Sequence, residues 1–191
     1  MRHIVCIPLL ACAVSAYAAP TAYVLKEDHT DVTFRISHAG FTMKHGSFGK
    51  MAGTLNLDSD HLEASSVDVT VAINSISTNH AKRDSDLQSD KWLDAAQYPA
   101  MHFVSTKVTR FGTDKIDVAG TLTLHGISKP LILHATVNRI GASPFGNAQT
   151  AGFSATGSLK RSDYGINQLI PMIGDDVTIE IDAEFGVPKT N

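Results

Sequence analysis

Cysteine is nearly missing from this chain. There are two, Cys6 and Cys12, and both fall in the first eighteen residues. Without that stretch no disulfide and no thiol chemistry remain, and a core drawn from about 170 residues must hold the fold alone. Basic runs are short, none exceeding two residues, which argues against nucleic acid and anionic membrane surfaces as partners. No later apolar run is long enough to span a bilayer. Aromatic residues make up 7%, with one tryptophan, Trp92. Phosphate-binding loops and the H-E-x-x-H, H-x-H and H-x-x-x-H metal spacings are absent. Gly152 to Gly157 misses G-x-S-x-G by one residue and lies within a strand pattern, so it is not a nucleophile elbow. These absences point away from an enzyme.

Residues 1–18 read as a cleaved secretory signal. Arg2 is the positive end, Ile4 to Val14 the apolar stretch, and Ala16-Tyr17-Ala18 the small-x-small cleavage box. A competing reading makes Leu9-Leu10-Ala11-Cys12 a lipoprotein box anchored at Cys12, which Leu10 fits poorly. The expected protein is periplasmic, with residues 19–191 as one domain. Removing Arg2 leaves 15 basic against 19 acidic residues, a net charge near −4.

Period-two alternation dominates the rest of the chain. Val32, Phe34, Ile36 and His38 share one face of a strand, Leu55 and Leu57 another, and Val67 to Ile73 a third. The pattern recurs over Ile116 to Leu124, Leu131 to Asn138, Phe153 to Leu159 and Val177 to Phe185, and less cleanly over Met101 to Arg110. About eight half-buried antiparallel strands with legible turns predict an all-β fold, an antiparallel barrel or a sandwich. Small residues at inward positions (Gly53, Gly120, Ala135, Ala155, Gly157 and Ala183) favour a lumen with room for one ligand. The competing explanation is that they make space for strand coiling or for large neighbours.

The longest break in alternation is Ser75 to Phe103, read as a helical lid over the barrel mouth from Asn79 to Asp94. It contains Ser75-Ile76-Ser77-Thr78, Arg83-Asp84, Leu87-x-Ser89, Trp92-Leu93-Asp94 and Tyr98-Pro99-x-Met101-x-Phe103. Further on stand His125-Gly126-Ile127, Arg161-Ser162-Asp163-Tyr164-Gly165 and Gly174-Asp175-Asp176; upstream are His29-x-x-Val32-x-Phe34 and Gly46-x-Phe48. Together these resemble the YceI family of exported bacterial proteins. Two departures from its pattern are Asp86, where histidine is common, and Lys91-Trp92-Leu93 in place of a phenylalanine pair.

The resemblance implies a lipocalin-like barrel that sequesters or carries an amphiphile, such as a polyprenyl lipid or a quinone. No other cofactor is expected. Transient contact with a membrane or membrane protein, and a homodimer, are compatible with it. On this reading the tail lies against Phe34, Ile36, Phe48, Leu55, Leu122, Leu133 and Phe153 from the barrel. Leu87, Trp92, Leu93, Met101 and Phe103 would meet it from the lid and the strand after it. Arg83, Arg161 and His38 are the candidates for a polar head, with an architectural ion pair as the alternative for each arginine. Two other functions compete: a metal-dependent enzyme with a histidine site at the mouth, and a stress-related interaction protein whose barrel is filled by side chains.

Overall fold

The structure is a computed structural model and describes residues 19–188. The expected signal segment lies outside the described residues. Eleven strands alternate with short turns and one α-helix: β1 Thr21–Leu25, β2 Asp31–His38, β3 Thr42–Phe48, β4 Met51–Leu57, β5 Ser66–Ala72, β6 Ile76–Ser77, α1 Ala81–Gln88, β7 Ala100–Phe111, β8 Lys115–Leu124, β9 Ile127–Ala142, β10 Gln149–Lys160 and β11 Ile173–Gly186.

Eight of them form a closed antiparallel ring, β1-β4-β5-β7-β8-β9-β10-β11, with β11 returning to β1. Closure removes the exposed edges that would otherwise template aggregation. One edge of β11 has two partners. Ile173 to Asp182 pair with β2, while Phe185 and Gly186 pair with Leu25 and Val24 of β1. The path 21–38 is therefore a single run along β11, bent at the turn Glu27–His29. Its neighbour bends beside it, since β3 pairs with β2 and β4 with β1. The Met51 N–H donates to a Glu27 carboxylate oxygen at 3.4 Å where the two bends meet. Past the bend β2, β3 and β6 carry the wall onward, which lengthens the barrel on that side.

Alternation along the eight expected strands holds, and the observed strands extend most of them by a few residues. β1, β3 and β6 are additional. The helix is half as long as expected, because residues 89–99 form turns instead of continuing it. The three small-residue glycines follow the competing explanation, room for neighbouring side chains. A Cβ on Gly120 would stand 2.4 Å from the Phe103 ring, on Gly53 2.7 Å from Val69 Cγ2, and on Gly157 2.9 Å from Leu133 Cδ2. Their spaces are occupied by neighbours in the wall. Ala135, Ala155 and Ala183 do face an open lumen.

A candidate ligand cavity with a polar mouth

Strand parity turns one face of every ring strand inward, yet the inward side chains do not meet at the axis. They enclose a cavity of about 600 Å³, inside the about 300–1,000 Å³ range of small-molecule sites. The cavity favours the lumen over the competing filled barrel. Short side chains contribute to the space: Ala155 stands beside Ala135 across β10 and β9, and on β11 Ala183 leaves room beside Phe153.

The end away from the lid is lined by apolar side chains. Phe153 and Phe185 meet edge to face with ring centroids 6.2 Å apart, and Leu57 and Leu62 are buried nearby. The lid end is polar. His38, Lys44, Arg83, Asp86, Lys91 and Arg161 border the cavity there. Leu87 on α1, with Trp92 and Leu93 in the turns after it, covers the lumen half-buried. All fifteen residues singled out from the sequence lie on this cavity wall.

The two arginines are held differently from a free head-group donor. Arg83 Nε donates to Thr78 Oγ1 at 2.7 Å and its Nη2 to the Thr78 carbonyl at 2.8 Å. Asp84 grips the same residue from the other side, accepting from the Thr78 N–H at 2.8 Å and from its hydroxyl. The hydrogen bonds from Thr78 hold the Asp84 carboxyl below its ordinary 3.8. Arg83-Asp84 is thus a clamp that ties the start of α1 to the end of β6. His80 caps the same turn, its Nδ1 accepting from the Arg83 N–H at 3.2 Å.

Arg161 is 4% exposed. Its guanidinium donates to the carbonyls of Gly174, Ile166, Gln168 and Ile173 at 2.7–2.9 Å. Four of the five N–H groups of an arginine are therefore used on one loop. Burial lowers its pKa below the usual arginine value. The charge also sits 5.3 Å from the centre of the Trp92 ring, a cation–π contact that links the loop to the lid. Beside it, Asp175 accepts from the Ser162 N–H and hydroxyl at 2.9 and 2.8 Å, bonds that lower its carboxyl pKa. Tyr164 is buried and its pKa rises for that reason.

His125-Gly126 turns β8 into β9 with both residues at positive φ, 52° and 73°, the requirement of a tight two-residue hairpin. A Cβ on Gly126 would lie 2.6 Å from Tyr98, and the His125 ring centroid is 4.7 Å from that of Tyr98. His125 Nδ1 lies 3.0 Å from the Tyr164 carbonyl and donates to it. One hairpin thus joins lid and loop.

Lys44 was not legible in the sequence. It pairs with Ile36 and so shares the inward face of β2, but β3 places Thr42, Lys44 and Gly46 there, a polar row without an apolar period. Gly46 was a usable signal, since its missing side chain admits the Phe34 ring. Among the described residues no group of three histidine, cysteine or acidic side chains is close enough to hold a metal. His134 and His102 face outward, on Asp117 and Asp68 at 2.6 and 2.7 Å.

A model of the YceI-like domain matches residues 23–185. The chain belongs to the YceI family. A UPF0312 protein of Pseudomonas savastanoi pv. phaseolicola is 41% identical over 170 residues, spanning 87% of this chain and 86% of that one. The crystal structure of a Campylobacter jejuni YCEI protein superposes with a TM-score of 0.73 at 28% identity, covering 80% and 90% of the two chains. A polyisoprenoid-binding domain from Saccharophagus degradans, implicated in plant cell wall breakdown, shares the fold with a TM-score of 0.67 and 17% identity over 87% and 98%. In this YceI chain Asp86, the departure from family histidine, borders the mouth and pairs with Lys82 at 3.2 Å.

Proposed function

We propose that this protein is a periplasmic carrier or sequestering protein for an amphiphile of the isoprenoid class. The tail occupies the barrel lumen and the polar head lies at the lid end. One observation carries the reading: an apolar cavity with its charged side chains gathered at a single end. That polarity matches a molecule with one long apolar part and one polar part. Each methylene moved from water into the lumen contributes about 0.8 kcal/mol, so a chain of several isoprene units is retained through purification. The polyisoprenoid-binding domain with the same fold, and membership of the family, support the choice of ligand class.

Lys44 and Lys91 are the head-group donors of this arrangement, because Arg161 is used on loop carbonyls and Arg83 on Thr78. Binding without catalysis fits a site whose arginines build the rim. The test is mass spectrometry of an organic extract from protein recovered from a bacterial periplasm without detergent, beside a mock purification. A stoichiometric amphiphile is expected. Ala155→Phe, which fills the lumen from a position facing Ala135, is expected to fold and to retain less than about a tenth of it. Equal retention by this variant places the ligand elsewhere.

A further inference from the structure

The lid end has two sides of different character. On one, residues 82–94 are densely charged, with Asp84, Asp86, Asp90 and Asp94 among Lys82, Arg83 and Lys91. On the other, the β2–β3 turn and the loop before β11 meet: the Ala39 N–H donates to the Met172 carbonyl at 2.6 Å and His38 pairs with Ile173. Residues 36–49 and 165–174 contain no aspartate or glutamate, and their ionisable groups are His38, Lys44 and His45 alone. The same two segments expose Phe41 at 88%, Met172 at 59%, Met43 at 47% and Leu169 at 45%. Four large apolar side chains thus stand on one side of the mouth of an apolar cavity, Leu169 lining it, in two segments free of acidic residues, the second flanked by Asp163 and Asp175.

We propose that this edge is a membrane-docking rim: Phe41, Met43, Leu169 and Met172 enter the headgroup region of a bilayer with anionic lipids and bring the cavity mouth against it. The proposal rests on the lumen reading above. A tail that leaves the lumen through water loses the stabilisation that held it, whereas a mouth pressed on the bilayer lets it pass between two apolar phases. The absence of carboxylates matters more than any run of bases, since each one would be repelled by an anionic surface. That is why the chain, which has no basic cluster in sequence, still presents a compatible edge once folded. A second copy is the poorer occupant, because a twofold contact would set Lys44 and two histidines against their equals and block the mouth.

Phe145 supplies an internal control. It is 93% exposed in the turn between β9 and β10, at the opposite end of the barrel. Co-sedimentation with phosphatidylethanolamine–phosphatidylglycerol vesicles at low and high salt, with amphiphile content measured on the same preparations, tests the idea. Wild-type protein and Phe145→Asp are expected to bind alike, and to bind no less at high salt, because the rim is apolar and the protein as a whole is acidic. Phe41→Asp is expected to lose about tenfold or more of the partitioning while its bound amphiphile and melting temperature stay unchanged. Equal binding by Phe41→Asp, or equal loss in Phe145→Asp, overturns the rim. So does wild-type protein that ignores vesicles and forms dimers broken by Phe41→Asp. Protein without amphiphile that still binds vesicles through Phe41 fails the lumen reading and leaves the rim standing.

Discussion

At the residue scale, the polar motifs of this chain build the rim. Thr78 is buried and receives Arg83 and Asp84 together. Asp84 is held below its ordinary pKa by those bonds, so the folded protein favours the carboxylate. The stabilisation is complete above the unfolded value of 3.8 and disappears as pH falls through the lower folded value. Asp84→Asn is therefore expected to be less stable than wild type at neutral pH, with the two denaturation curves converging in acid. A gap that stays constant from neutral pH down to strong acid would assign the loss to side-chain shape instead. Arg161 makes a stronger case. Arg161→Met leaves four carbonyls without their donor, and unfolding in urea is expected to show a loss of about 3 kcal/mol or more. The sequence showed these residues as a motif, but their division between ligand and scaffold depends on which atoms they face, and spacing alone carries no such information.

Elements differ in how plainly the chain announces them. The long strands were legible because one face is buried and the other wet, which writes a period of two. β3 was not, since its inward positions hold Thr42, Lys44 and Gly46 at a polar mouth. β1 has five residues and β6 two, too few for a period to emerge. The lid helix was overestimated for a related reason. After Gln88 the chain turns repeatedly, with Asp94 at φ 44°, and half-burial of Trp92 and Leu93 mimics a helical face. The β8–β9 hairpin, by contrast, is dictated by its two residues. Gly126→Ala is expected to cost about 1–2 kcal/mol for positive φ alone, and more because Tyr98 must move. Thermal melting is expected to fall by about 2–4 °C for each kcal/mol. A loss no larger than about 1–2 kcal/mol, that of the positive φ alone, would mean that lid and hairpin are not coupled through Tyr98.

At the scale of the whole molecule, a barrel or a sandwich followed from the strand count, the choice of the barrel from the family resemblance, and the lumen from the inward small residues. The division of labour among those residues did not, because an inward alanine and an inward glycine look alike until their neighbours are placed. The ring itself is completed by Val24 and Leu25 against Gly186 and Phe185, with a Lys26–Glu184 ion pair alongside. Residues near position 25 thus wait for residues near position 185. Such a high contact order slows folding, because loop-closure entropy is lost before the distant pairing can compensate it. Until β11 arrives, every inward side chain faces water with no wall opposite. The nascent protein therefore passes through a period in which its future binding surface is an open, sticky sheet, and the cell must shield that sheet or tolerate its self-association. β11 is the strand that turns a liability into a container.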